Sequence, residues 1–335
     1  MAGSESATAP GGRLEPRISV AISSHGRPLR LRWLLGALAA QTLPRDELEV
    51  IVVHDCPDSE TERVLAGHPL AADGTLRVTA LEPRTSIATN RNAGWRQARA
   101  PLVAFTDDDC RPDPGWLEAL LATAERHPGA IVQGATEPDP DEVAVGEADP
   151  FFRPHRVVPP SDWADTCNIA YPRELLERLE GFDEDGLASV GEDSDMAMRA
   201  RGAGAVLVAA PQALVYHAAS RIGLLAQLRD AWRWHRVAYV VRRHPELRRS
   251  LTLGVFWRPA HALFLLAICG LVLARRRRGF IVLALPWLRL RLGWYGPGPR
   301  GRARAAAELA AWAALDGAEV ASCIAGSVRY RSLWL

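Results

Sequence analysis

Leu102-Val103-Ala104-Phe105-Thr106-Asp107-Asp108-Asp109 runs from four apolar residues straight into three carboxylates. An apolar run bounded this way reads as a buried strand. Three acids at its end repel one another unless they are solvated or share a cation. Hard divalent cations such as Mg²⁺ or Mn²⁺ take oxygen ligands, commonly one or two carboxylates plus substrate phosphates. The plain alternative is a solvated acidic turn, and the neighbouring sequence weighs against it.

Upstream, apolar runs alternate with helical patterns. Strands are expected over 18–22, 49–53 and 76–81, and helices over 29–40, 59–66 and 86–98. The first helix places Leu31, Leu34, Leu35 and Leu38 on one face, with Pro28 near its start. Ser59 reads as the N-cap of the second. Downstream, Asp113 and Pro114 read as cap and first turn of a helix to 127, before a strand over 130–133. This alternation predicts an α/β fold, a mostly parallel Rossmann-like sheet flanked by helices. In such sheets ligands bind beyond the carboxyl ends of the strands. Asp55 and the three aspartates both follow strand ends, so they share one crevice. Residues 136–165 read as a loop, 172–179 and 193–203 as helices, and 205–209 and 213–216 as short strands.

Charge divides the 335 residues sharply. Residues 1–217 hold 34 acids and 20 arginines, and residues 218–335 hold 5 acids and 20 arginines. No lysine occurs. The pattern predicts a cation-binding front half and a basic tail that meets something anionic. Five scattered cysteines without a C-x-x-C pair indicate neither a disulfide framework nor a zinc site, and suit a reducing cytosol. Residues 1–16 read as a disordered leader.

The tail is helical to about 244 and then strongly apolar. Residues 251–274 are apolar except for Arg258 and His261, and Pro259 interrupts them. Four arginines occupy 275–278, followed by an apolar run over 279–288. Both clean runs fall short of the roughly 20 residues a span needs. An outward crossing would also strand the arginines on the trans side. Segments lying in the inner membrane interface are expected, with arginine on anionic headgroups and the tail's seven tryptophans at headgroup depth.

Four features recur in one order: Val-Val-His-Asp at 52–55, Thr-Asp-Asp-Asp at 106–109, Gly-Glu-Asp-Ser-Asp at 191–195 and Val-Tyr-His at 215–217. With Thr-Asn-Arg-Asn-Ala-Gly at 89–94 and Glu-Gly-Phe-Asp-Glu at 180–184, the chain resembles family 2 glycosyltransferases of the GT-A fold. The resemblance covers residues 17 to about 220. It implies a donor half to about 135, an acceptor half over 136–220 and a helical, membrane-associating region over 221–335.

The resemblance also implies roles. Asp55 would read the nucleotide base, Asp107 would lie near ribose and diphosphate, and Asp109 and His217 would hold Mn²⁺ or Mg²⁺. Ser23, Arg91 and Asp108 fall on the donor side, Trp163, Asn168 and Glu192 on the acceptor side. Asp193 matches the catalytic base of an inverting sugar transfer from a nucleotide-diphosphate sugar to a hydroxyl acceptor, lipid-linked or part of an envelope glycan. No nucleic-acid partner is expected. His54 stands where the family has the first of two aspartates, and Ser23-Ser24-His25-Gly26 replaces its Pro-Thr-x-Asn, which leaves the donor nucleotide open. A nucleotidyltransferase is the alternative, but its Gly-rich loop and phosphate-binding lysine are missing. A catalytically silent binding protein is another, opposed by the presence of all four acidic features.

Overall fold

The computed structural model describes residues 15–56, 58–83, 85–144, 154–187, 190–219 and 223–335. All but the last two residues of the expected leader lie outside them. Eight strands form one sheet: β1 Ile18–Ser24, β2 Leu48–His54, β3 Leu76–Ala80, β4 Leu102–Asp107, β5 Cys110–Pro112, β6 Ile131–Pro138, β7 Ile169–Pro172 and β8 Leu207–His217, in the order β3-β2-β1-β4-β7-β6-β8-β5.

The β3-β2-β1-β4 half is parallel, as the alternating pattern predicts. β7 then inserts antiparallel between β4 and β6, β8 runs parallel to β6, and β5 closes the edge antiparallel to β8. The whole is a mixed sheet with helices packed on it. Period-2 alternation divides each central strand between two cores. Ile18, Val20, Ile22, Val50 and Val52 face the helix Pro28–Ala39. Ile51, Val53, Val103 and Phe105 face the opposite cluster with Trp95 and Tyr171. Both faces are covered, so these strands read as continuous apolar runs. Each fully buried leucine of that helix (Leu31, Leu34, Leu35, Leu38) contributes roughly 1.5–3 kcal/mol.

Several expectations need correction. Helix Ser59–Ala66 is capped by Asp58, not Ser59: the Asp58 carboxylate accepts from the Glu60 and Thr61 amides at 3.0 and 2.7 Å. Asp113 precedes its helix, which starts at Trp116 behind Gly115; the Asp113 side chain accepts the Gly115 amide instead. The two strands expected over 205–209 and 213–216 are one bulged strand, β8. Its register against β6 shifts between Gly134 and Ala135, so Ala210 and Leu214 face adjacent residues. A Cβ on Gly134 would lie 2.3 Å from the Ala213 carbonyl oxygen, so only glycine admits the bulge.

The tail is a helical body around Leu309–Tyr330, with Leu224–Ala231, Val237–Arg243, Pro259–Ala274, Leu285–Leu292 and Pro299–Ala307. Leu309–Tyr330 is long and apolar enough to cross a membrane, but 44% of its most apolar window is buried inside the protein. Its acids explain why it stays there. Asp316 accepts from Trp287 Nε1 at 2.8 Å and Arg291 Nε at 3.0 Å, and Glu319 meets His261 Nε2 at 2.9 Å, all buried. Buried charges persist when paired and hydrogen-bonded.

Part of the anion expected for the basic tail is the protein's own front half. Asp195 contacts His244 Nε2 at 2.8 Å and Arg243 at 3.2 Å, and Asp183 contacts Arg243 at 2.6 Å. Asp162 accepts from Arg249, at 2.7 Å, and Ser250, at 2.7 Å. These contacts seat the tail on the helix Glu192–Gly202 and the segment before it.

Candidate active site

β1, β2 and β4 end side by side, because Ser23 is in register with both Val53 and Asp107. At this edge Asp55 is buried, with its Oδ1 2.7 Å from His25 Nδ1 and its Oδ2 accepting from Thr85 at 3.4 Å. Ser23 is half-buried beside Asp107. Asp55 and Ser23 thus lie at the same strand edge as Asp107.

The three aspartates divide their work. Asp107 keeps its side chain 28% exposed and receives only Arg91 Nη2, at 3.1 Å. Asp108 is buried, accepting from Ser24 Oγ at 2.9 Å, the His25 amide at 3.0 Å and Arg27 at 2.8 Å. Burial and the Asp109 charge push its carboxyl up, against Arg27 and these hydrogen bonds. Both oxygens are engaged, so Asp108 braces the loop after β1. Asp109 meets Arg27 at 2.9 Å and His217 Nε2 at 3.6 Å across the β5–β8 edge.

The Asp109–His217 pair fits a divalent cation. His217 Nδ1 lies 3.0 Å from the Ala218 carbonyl, a contact that places the proton there. That leaves Nε2 facing the Asp109 carboxylate 3.6 Å away, a gap that a cation held by both would fill. Cys110 Sγ is close enough to join them. Burial and nearby charges push its thiol well above the ordinary range, so it stays protonated. The Asp109 carboxylate is an oxygen donor of the kind Mn²⁺ or Mg²⁺ takes, and the His217 imidazole would complete the pair.

The second cluster opens the helix Glu192–Gly202. Gly191 precedes it with φ of 86°, a conformation a side chain resists, and a Cβ there would lie 2.5 Å from Val240. That turn sets Glu192 and Asp193 at the wall of a cavity of about 620 Å³, which Asp107, Arg91, His217 and Trp163 also line. Arg91 is the bridge: its guanidinium is buried between Glu192 and Asp107, over the Phe182 ring at 5.8 Å. Burial opposes its charge, but Asp107, Glu192 and Asp193 more than compensate and raise its pKa. Asp193 is raised well above its ordinary value, first by burial and then by the Glu192 and Asp165 charges. Arg91 and the Ser194 amide oppose this shift. The helix N-terminus therefore does not dominate at Asp193, contrary to the simple dipole expectation. Its neighbour Asp195 goes the other way. Burial alone would raise it, yet hydrogen bonds from His244 and Arg199 hold it below the usual range.

Trp163 lines the cavity and packs edge-on against Trp334 at 6.1 Å. Asn168 is not among the residues that line this cavity. Its Nδ2 donates to Ala135 and Ala213 carbonyls at 2.7 and 2.8 Å, and its Oδ1 accepts Trp116 Nε1 at 2.8 Å. Asn168 stitches the β6–β8 bulge. Sequence analysis missed Arg27, His155 and the tail's cavity residues Arg233, Trp234, Trp257 and Arg258. The His155 and His217 rings lie with centroids 4.8 Å apart, tilted by 51°. Nothing periodic marks these residues; the Trp-Arg pairs at 233–234 and 257–258 were their only local signal.

One cavity brings Asp107 and His217 from the strand edge together with Asp193 at a helix start, on a mixed α/β sheet of GT-A-like fold. Models of glycosyl transferase family 2 and of glycosyl transferase family group 2 match residues 19–179 and 102–295. The chain belongs to the family 2 glycosyltransferases. It is 29% identical over 220 residues to a validoxylamine A glucosyltransferase of Streptomyces hygroscopicus subsp. jinggangensis, covering 55% of this chain and 51% of that one. It is 27% identical over 160 residues to a glucosyl-dolichyl phosphate glucuronosyltransferase of Haloferax volcanii, covering 44% and 49%. The chain thus spans about half the length of these curated relatives. The fold matches a Pyrobaculum calidifontis mannosyltransferase solved with GDP-Man and Mn²⁺, with a TM-score of 0.57 and 21% identity over 97% of this chain and 90% of that one.

Proposed function

We propose that the chain is an inverting glycosyltransferase that moves a sugar from a nucleoside-diphosphate donor to a hydroxyl acceptor at the inner face of the cell membrane. The observation that carries this reading is one cavity lined by Asp107, His217 and Asp193, with Arg91 tying the first to the wall of the last. Asp55 and Asp107 hold the nucleoside; the GDP-Man bound by the fold neighbour supports this donor class. Asp109 and His217 would hold a divalent cation, which would supply positive charge against the leaving diphosphate. Asp193, with its raised pKa, accepts the proton of the acceptor hydroxyl as its oxygen bonds to the anomeric carbon. The bond to the diphosphate breaks on the opposite face, and a single displacement with one base inverts that centre. Metal dependence, base and stereochemistry are parts of this proposal.

The membrane part rests on the hairpin after Pro259. Leu271, Val272, Leu273, Phe280, Ile281 and Val282 are exposed beside the four arginines at 275–278. The helix Pro259–Ala274 has 16 residues. At about 1.5 Å each it reaches about 24 Å, short of a roughly 30 Å bilayer core. It therefore lies in the interface, with apolar tip in the acyl boundary and arginines on headgroups. The relative acting on a glucosyl-dolichyl phosphate supports a lipid-linked acceptor.

Calorimetry with UDP, GDP and dTDP, with and without Mn²⁺, tests the donor site. One nucleotide should bind only with metal, and Asp193→Asn should keep that binding while losing turnover about 10²-fold or more. A folded protein that binds none of the three would end the transferase reading. Leu271→Glu with Val272→Glu should abolish flotation with anionic vesicles; unchanged flotation would remove the membrane role.

A further inference from the structure

Arg27 bridges two of the three aspartates. It ends the loop after β1, and its carbonyl accepts the Leu31 amide at 3.0 Å as the helix Pro28–Ala39 begins, so its backbone is fixed. Its Nη1 donates to Asp108 Oδ1 at 2.8 Å and to Asp109 Oδ2 at 2.9 Å. Both carboxylates are nearly buried, while the arginine side chain is half-exposed. Burial opposes its charge, but Asp109, Asp108 and Asp107 outweigh burial and raise its pKa, so it stays a cation. Asp109 is therefore divided between two neighbours. Its Oδ2 is held by Arg27, and its Oδ1 faces His217 Nε2 at 3.6 Å, an approach fixed by the pairing of Cys110 with His217.

One carboxylate oxygen and one imidazole nitrogen make a thin ligand set for a divalent cation. Sites for Mg²⁺ commonly complete such a set with substrate phosphates. A guanidinium beside the set repels a dication, and its hydrogen bond keeps Asp109 from offering both oxygens. A diphosphate reverses that balance, because its negative charge outweighs the one positive charge of Arg27. We propose that Arg27 is a positioning residue that makes cation binding at Asp109 and His217 conditional on the donor's diphosphate. The proposal rests on the transferase reading, because it assigns the diphosphate to this strand edge. Arg27 keeps the empty site from filling with metal. Donor and cation then bind as a coupled pair, each raising the other's affinity by the same factor. A residue that merely braced Asp109 and its loop would act in the opposite direction, since its loss would loosen the site and weaken cation binding.

The test titrates the whole chain with Mn²⁺, alone and with UDP, GDP or dTDP in excess. Free Mn²⁺ is read by electron paramagnetic resonance and binding heat by calorimetry. In wild type one of the nucleotides should tighten Mn²⁺ binding about tenfold or more. Arg27→Gln keeps a polar side chain and removes the charge. It should bind Mn²⁺ alone about tenfold tighter than wild type, the scale of one unit charge beside a dication in a water-facing site, and lose about the same factor from the nucleotide-linked gain. Arg27→Lys restores the charge and should return Mn²⁺ affinity toward wild type. Unchanged or weaker binding of Mn²⁺ by Arg27→Gln would overturn the proposal. Should Arg27→Gln fail to fold, Arg27→Gln with Asp108→Asn leaves no stranded buried carboxylate. Compared with Asp108→Asn alone, it should show the same gain of about tenfold, and no gain would overturn the proposal. A folded wild type that binds none of the three nucleotides ends the transferase reading. Nucleotide binding that leaves Mn²⁺ affinity unchanged ends this proposal alone.

Discussion

Arg91→Ala is the sharpest perturbation of the site. Arg91 and Glu192 have side chains only 5% and 6% exposed, so solvent screens their attraction little. The second pair, to Asp107 at 28% exposure, contributes less. Removing the cation strands a buried carboxylate, one of whose oxygens, Oε2, has no hydrogen-bond partner to fall back on. Breaking a buried pair from one side costs about 3–5 kcal/mol. At roughly 2–4 °C per kcal/mol for a protein of this scale, the melting temperature should drop on the order of 10 °C. Arg91→Lys should fall between, since one ammonium cannot span both carboxylates as a guanidinium does. Differential scanning calorimetry and urea unfolding measure this directly. Adding Glu192→Gln to Arg91→Ala should recover about half of the loss, because the stranded charge goes with it. A single variant within about 1 kcal/mol of wild type, or no recovery in the double, would refute the claim that Arg91 is the electrostatic tie between the two clusters.

Three further outcomes follow from the same geometry. Asp193 has a folded pKa raised above its unfolded value, so its ionised form destabilises the protein at pH above that folded value, and the penalty vanishes as pH falls below the unfolded one. Asp193→Asn should therefore raise the melting temperature at pH 8 and leave it nearly unchanged near pH 3; a lower melting temperature at pH 8 would contradict the raised pKa. Asp195 is depressed, so its stabilisation is present above the unfolded value near pH 4 and is lost as pH falls through the folded one. Asp195→Asn should cost about 3 kcal/mol at pH 7 and speed proteolysis between core and tail, with the difference fading as pH falls below the ordinary carboxylate range. His217→Ala should raise the Mn²⁺ concentration needed for nucleotide binding by about tenfold or more, read by titration calorimetry; an unchanged requirement would place the cation elsewhere.

The parallel half of the sheet was legible in the sequence because its strands are buried on both faces and its helices carry one apolar stripe. Leu31, Leu34, Leu35 and Leu38 announce both period and face. The acidic clusters were legible because a run of carboxylates after a buried strand has few uses. What one chain could not announce is pairing between distant segments. The antiparallel insertion of β7, the β6–β8 bulge and the capture of Asn168 by two carbonyls depend on contacts more than 30 residues apart. Asp107, Asp108 and Asp109 are chemically identical in sequence; only Arg27, Ser24 and Arg91, from other elements, assign one to the loop and leave another to the crevice. The charge split was written in the sequence, but its destination was not. Asp162, Asp183 and Asp195 take up Arg249, Arg243 and His244 from the tail, because local charge counts carry no information about which surfaces meet. By itself the sequence determined the layers, the strand edge where chemistry sits and the residue types that perform it. The tertiary structure decided which of those carboxylates remain available, and brought tail indoles and guanidiniums to the same cavity, because long-range packing alone fixes which side chains face a shared space.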